Sequence, residues 1–351
     1  MKRLFNAVLG LLLIAVSPPM VSAQVSALFV NDNSLYFPNT ELVLNQVRSA
    51  GVFDSVYFFN AVDSLRSPTY TEMRPYHTVI WYTSTDGVGR YFWSGTDADN
   101  TELILYMQDG GLLWVMGNDF LYDRYGSAPV TFSEGDFAYD YLGIETYAVQ
   151  SYGDDGSLGV SQMDYIDNDV ITNVPESLTW IYETLWWADG CTPNGKGIPF
   201  YQMGPDSYVL AGNPSALVRQ PDMENPIHAI SLFFDPALIS NTGDLHQLFQ
   251  GILDYISTYF PSSTNQRPVK ENELTIFPNP ASGNISVVIP EEFANSRPEV
   301  VVYNLNGQTE LSTRTGEQRI TLNTARLVDG MYFIQISDNN STRHAKALIK
   351  H

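Results

Sequence analysis

Apolar residues recur at two different periods in this chain, and the change of period divides it. From residue 271 onward they alternate with polar residues in Ile285–Ile289, Val300–Tyr303, Arg319–Leu322, Tyr332–Ile336 and Ala345–Ile349. Such runs fit strands with one buried face. Asn306-Gly307 between two of them is a hairpin signal. Short strands with turns between them predict a small all-β sandwich. Before residue 260 the pattern is different. Short apolar runs at Ala27–Val30, Asp54–Phe59, His77–Tyr82, Leu112–Met116 and His228–Phe234 read as strands. Helical spacing separates them, at Glu41–Arg48 with Leu42, Val43 and Val47 on one face, at Glu102–Met107 after a cap at Thr96 or Asp97, and at Asp244–Tyr259. Alternating strands and helices predict an α/β fold, a parallel sheet covered on both faces with right-handed connections. Residues 144–225 are rich in Gly, Pro and aromatics, and read as an irregular insertion of short strands and long loops.

The ends and the join complete the layout. Lys2 and Arg3, the apolar stretch Leu4–Val16 and the small residues Val21-Ser22-Ala23 read as a signal peptide over 1–23, with the mature chain starting at Gln24. An uncleaved anchor is the alternative. No other stretch is long enough for a transmembrane helix. The α/β domain spans 24–260. Pro261–Lys270 is a linker with two prolines and no apolar period, and 271–351 forms the second domain.

Charge and cysteine content narrow the function. Residues 25–260 hold 30 Asp and Glu against 7 Lys and Arg. Such a surface repels phosphate backbones and anionic lipids, which excludes nucleic acid as a partner. It suits solubility in a saline medium, cation binding, or a neutral ligand such as a glycan. Cys191 is the sole cysteine, so no internal disulfide forms and stability rests on packing.

Four ordered motifs mark the second domain: Leu274-Thr275-Ile276-Phe277-Pro278-Asn279-Pro280, Val301–Gln308, Gly330-Met331-Tyr332-Phe333-Ile334-Gln335-Ile336 and Ala345-Lys346-Ala347-Leu348-Ile349-Lys350. The series resembles the C-terminal sorting domain, type A, of the type IX secretion system. The resemblance implies passage through the general export translocon and the type IX machinery. Release or attachment at the cell surface then follows. Its motif residues here are Pro278, Asn279, Pro280, Gly330, Tyr332, Lys346 and Lys350. A generic immunoglobulin-like module is the alternative reading of the same strands.

The first domain resembles the class I glutamine amidotransferase-like group of flavodoxin-like folds. The matching residues are Asn31-Asp32-Asn33 after the first strand, Tyr76–Trp81, Leu105–Leu113, Gly117-Asn118-Asp119 and Phe137–Gly143. True amidotransferases carry a nucleophilic cysteine in a Gly-x-Cys-x-Gly elbow. Here that place reads Val115-Met116-Gly117-Asn118-Asp119-Phe120, and the partner His and Glu are not recognisable. Glutamine-dependent ammonia transfer is therefore not expected.

Ligands of open α/β sheets bind outside the C-terminal strand ends. That rule selects Asn31, Asp32, Ser84, Asp86, Asn118 and Asp119. Asp32, Asp86 and Asp119 are candidate acid–base or metal-holding carboxylates, while capping and turn geometry explain the same residue types. Asp154, Asp155, Asp164, Asp167 and Asp169 offer oxygen ligands suited to Ca2+, or line solvated loops. No other cofactor is implied. Cys191 lies in a turn-like setting, and His77 and His228 read as edge residues. Trp180, Tyr182, Trp186 and Trp187 cluster beside Glu183 and Asp189. They read either as a sugar-stacking surface or as a satellite core. Three roles stay open: a non-catalytic binding module for a glycan or a surface protein, a carboxylate- or metal-dependent hydrolase, and a structural surface component.

Overall fold

In the computed structural model the described residues are 26–84, 90–93, 99–222, 225–259, 274, 276–290, 293, 296–304, 308–338 and 341–351. The signal peptide, the linker, Asp86, the cap at Thr96 or Asp97 and the Asn306-Gly307 turn lie outside them. The chain divides into two compact units, 1–100 with 110–265 and 101–109 with 266–351.

The first unit begins with β1 (Ser26–Asn31), α1 (Phe37–Ser49) and β2 (Ser55–Asn60). Two single-turn helices, α2 (Ala61–Ser64) and α3 (Tyr70–Met73), lead to β3 (Thr78–Ser84). Helix α4 (Thr101–Gln108) groups with the second unit. Next come β4 (Leu112–Gly117), α5 (Phe120–Tyr125), β5 (Val130–Thr131) and β6 (Ile144–Gln150). They are followed by β7 (Gln162–Tyr165), β8 (Ser177–Thr179), β9 (Asp189–Pro193) and β10 (Gly197–Gly204). β11 (Pro214–Arg219), β12 (His228–Leu232) and α6 (Thr242–Tyr259) close the unit.

Nine strands form one sheet in the order β2-β1-β3-β4-β12-β11-β10-β7-β8. The first five are parallel, in the doubly wound order 2-1-3-4-5. The other four are antiparallel, so the sheet is mixed, where the pattern predicted parallel strands throughout. These four come from 144–225. That stretch therefore holds short strands joined by long loops, and its strands extend the main sheet. Its strands escape a period count because Pro199 and Pro214 lie in them and the β10–β11 ladder shifts register twice. β5, β6 and β9 make a separate small sheet. Cys191 belongs to β9 and is buried, which corrects the turn-like reading.

Alternate strand residues, among them Phe29, Ile80, Trp114 and Ile230, meet α1 and α6 in one core. The Trp114 and Phe249 rings lie 5.1 Å apart. Burying each such side chain contributes about 1.5–3 kcal/mol. Helix α1 is rotated from expectation. It buries Thr40, Val43, Leu44 and Val47, while Leu42 is exposed. On the opposite sheet face Trp81 packs edge-on to Phe92, which meets Trp93, Phe120 and Phe137 in the same manner.

The second unit holds β13 (Ile276–Phe277), β14 (Asn284–Val288), β15 (Glu299–Asn304), β16 (Thr309–Arg314), β17 (Arg319–Asn323), β18 (Gly330–Ser337) and β19 (Thr342–Ile349). Two antiparallel sheets, β13-β14-β17 and β16-β15-β18-β19, share one buried cluster. β13 and β16 go beyond the five expected strands. β16 has Leu311 as its lone apolar residue, so no alternation betrays it. Among the described residues no helix is long and apolar enough to cross a membrane.

Candidate functional site

The site begins where β3 and β4 end. Gly117 has φ +152, and a Cβ there would lie 1.9 Å from Thr83 Oγ1 and 2.8 Å from the Ser84 carbonyl. Glycine alone lets the two strand ends approach so closely. The chain then turns through Asn118 into Asp119, whose φ is +57. Asn118 ties three segments together. Its Oδ1 accepts the Asp235 N–H at 2.8 Å, its Nδ2 donates to the Trp186 carbonyl at 3.2 Å, and its own N–H donates to the Ser84 carbonyl at 2.8 Å. The Asp119 N–H donates to the Trp187 carbonyl at 2.7 Å.

Most of the strand-end candidates are engaged in such ties. Asn31 accepts from Thr40 at 2.8 Å and donates to Asn60 at 2.9 Å. Asp32 is buried and accepts from Trp81 Nε1 at 3.0 Å and from the N–H groups of Tyr91 and Phe92 at 3.0 and 2.8 Å. Burial pushes its carboxyl up to about 6, against those donors. Ser84 donates to Asp235 at 3.1 Å, and Asp235 also accepts from Tyr82 at 3.0 Å and from the Ala237 N–H at 2.9 Å. Burial raises Asp235 to about 6 as well.

Asp119 differs. It occupies the N-cap position of α5 without a side-chain cap, and its carboxylate accepts from Gln150 Nε2 at 2.6 Å. The same nitrogen donates to Asp189 Oδ1 at 3.1 Å, so one amide bridges two carboxylates. Asp189 is fully buried and its Oδ2 accepts the Leu121 N–H at 2.7 Å. Burial raises it to about 7, opposed by that N–H and reinforced by Asp119. The buried guanidinium of Arg90 donates to the Asn118 carbonyl and faces Asp123, Asp32, Asp119 and Asp189. A cleft of about 380 Å3 opens in front of Asp119, lined also by Tyr122, Ser127, Gln150, Asp154 and Trp187.

The aromatic stretch splits in two. Trp180 is buried, its Nε1 donating to the Val160 carbonyl at 3.0 Å and its ring 5.6 Å from Phe234, so it is core and not ligand surface. Tyr182, Trp186 and Trp187 are 64%, 44% and 39% exposed. Tyr152 joins them, its ring 4.4 Å from Trp186 and 5.8 Å from Trp187. Trp187 alone of the four predicted aromatics reaches the cleft.

The acidic loops are closed by their own hydrogen bonds. Asp155 accepts from the Leu158 and Gly159 N–H groups and from Tyr208, Asp154 from the Gln150 N–H, and Asp164 from Gln162. Among the described residues no three acids, histidines or cysteines, Asp167 and Asp169 included, are disposed to hold a metal ion. Burial raises the Cys191 thiol, opposite to what a nucleophile needs. His228 opens β12 and is buried. Its Nε2 pairs with the Tyr255 hydroxyl at 2.7 Å, and burial lowers it to about 3.

In the second unit the sorting-motif residues form one assembly. Asn279, flanked by the cis-linked Pro278 and Pro280, donates to the Lys346 carbonyl at 3.0 Å and accepts the Leu348 N–H at 2.7 Å. This clips the Pro-Asn-Pro turn to β19. Gly330, with φ +156, opens β18, and the buried Tyr332 donates its hydroxyl to the Val328 carbonyl at 2.8 Å. Lys346 and Lys350 are exposed.

Residues 275–350 match the family described as the secretion system C-terminal sorting domain. That match supports export through type IX secretion to the outer cell surface or the medium, and with it an encounter with the type IX machinery. No curated protein matches the chain significantly. Solved structures with some likeness include a protein described as "thua-like" from Bacteroides uniformis ATCC 8492, 14% identical at a TM-score of 0.40, covering 67% of this chain and 93% of that one. The "mmIFT52 N-terminal domain" is 12% identical at 0.41, covering 68% of this chain and 99% of its own. A second "thua-like" protein, from Parabacteroides merdae ATCC 43184, is 11% identical at 0.37, covering 69% and 92%.

Proposed function

We propose that this is an exported protein whose α/β unit is a non-catalytic binding module, taking a neutral oligosaccharide in the cleft at Trp187. The observation that carries the reading is the half-exposed Trp187 ring beside Asp119, Gln150 and Asp154. An indole face stacks on the apolar face of a sugar ring, while carboxylate and amide groups orient its hydroxyls. The acidic surface favours an uncharged ligand over an anionic one. The proposal extends to a signal peptide over 1–23, domain limits at 24–260 and 271–351, an amidotransferase-like, flavodoxin-like origin of the first unit, and an immunoglobulin-like sandwich of type A for the second.

A thermal-shift screen of the full chain against neutral oligosaccharides, Ca2+ and chelator tests it. A ligand that binds the folded state alone raises the melting temperature. The expected result is a rise with an oligosaccharide that disappears in Trp187→Ala. No shift with any sugar sinks the reading and leaves a protein ligand or a structural surface role. The Asp119–Gln150–Asp189 bridge favours one second reading, a carboxylate hydrolase acting on the same ligand. It requires turnover of the bound sugar that Asp119→Asn abolishes.

A further inference from the structure

The strand β2 ends the nine-stranded sheet, pairing with β1 on one side and with no strand on the other among the described residues. Edge strands are normally blunted by a charge, a proline or a bulge. β2 reads Ser-Val-Tyr-Phe-Phe-Asn, with no charge and no proline, and its register with β1 is unbroken. Tyr57 and Phe58, on opposite faces of the sheet, are 53% and 39% exposed. Leu35, Tyr36 and Phe37 are exposed nearby in sequence, and the Phe37 ring stands edge-on to Phe58 at 6.3 Å.

The charge around this edge is unlike that of the rest of the unit. Residues 35–76 carry four acids and three arginines, out of thirty acids and seven bases between 25 and 260. Arg48 donates to the Val56 carbonyl of β2, and Arg66 is neutralised by Glu72 at 2.7 Å. Two copies of so acidic a unit repel wherever their acidic surfaces meet, and least where charge is balanced. A strongly basic partner would be drawn instead to the acidic remainder.

We propose that the β2 edge is the contact between two copies of this chain. A two-fold axis beside β2 sets the two strands antiparallel and joins two sheets into one, the same patch serving both partners. The pairing satisfies the open backbone groups of β2 and covers Tyr57 and Phe58.

Sedimentation equilibrium of the full chain over a wide concentration range is the test, with Tyr57→Lys and Phe58→Lys as edge variants and Leu158→Lys, an exposed site elsewhere, as control. The expected mass is twice 39.3 kDa for the parent and the control. Both edge variants should fall to the single-chain mass with unchanged circular dichroism. Because screening weakens net repulsion, added salt should tighten the dimer. A parent that stays single at every concentration overturns the proposal, and so does a dimer that survives in a folded edge variant. If Phe58→Lys does not fold, Tyr57→Lys, the more exposed position, decides alone.

Discussion

Asp119 and Trp187 meet at the cleft because neighbouring backbones are locked together, the Asp119 N–H on the Trp187 carbonyl and Asn118 on Trp186. The strand-end rule located Asn118 and Asp119 in the sequence. It could not locate Gln150 or Asp189, because nothing local marks a contact that spans 31 or 39 residues. Trp180 and Trp187 look alike in the sequence, yet one is core and the other lines the cleft. Gly117 should tolerate no side chain: Gly117→Ala, which meets Thr83 Oγ1 and the Ser84 carbonyl, should cost roughly 3 kcal/mol in urea melts. A neutral cost there would mean the strand ends are not so close. The buried carboxyls set a pH dependence. Asp32 and Asp235 are raised to about 6 and Asp189 to about 7, so the folded state binds their protons more tightly than the unfolded chain does. Stability should therefore rise as pH falls from about 8 to about 5, the three carboxyls outweighing His228, whose lowering to about 3 favours the unfolded chain below the ordinary histidine value. Glu72 works the other way. Arg66 lowers it to about 2, so its contribution is present above its ordinary value and is lost as pH falls toward 2. Melting temperatures that fall steadily on acidification from pH 8 would contradict this assignment.

Helix α1 shows how far periodicity reads at the level of an element. Its existence and its last turn, expected to run to Arg48 and observed to run to Ser49, were legible, but its inward face was not. Leu42, Val43 and Leu44 are consecutive apolar residues, and packing against the sheet decides which of them turn inward. Leu44→Ala should cost about 2–4 kcal/mol and Leu42→Ala under about 0.5 kcal/mol. Equal costs would mean the helix is rotated from its observed setting. The parallel strands were readable because each is a short apolar run, buried along nearly all its length in β3, β4 and β12. The antiparallel extension was not readable, because its strands owe their place to long-range pairing more than to composition. In the second unit the same contrast separates β18, with its alternating Tyr332, Ile334 and Ile336, from the polar edge strand β16.

For the whole molecule, the sorting domain gives the route, and the proposed binding role belongs to the α/β unit. Removing 275–350 should leave the protein on the inner side of the outer membrane, detected by fractionation, while the α/β unit keeps its ligand. Surface exposure of the truncated chain would show that export does not depend on this domain. Nearly all the excess acid lies in the α/β unit, which suits the uncharged ligand proposed for it. The most direct measurement is an equilibrium titration of tryptophan fluorescence in the full chain with the oligosaccharide that raises its melting temperature. Trp187→Ala and Asp119→Asn should each weaken binding about tenfold or more. Tyr182→Ala, exposed but outside the cleft lining, should bind as the parent does. Undiminished binding by Trp187→Ala, or an equal loss in Tyr182→Ala, would place the ligand elsewhere and contradict the account.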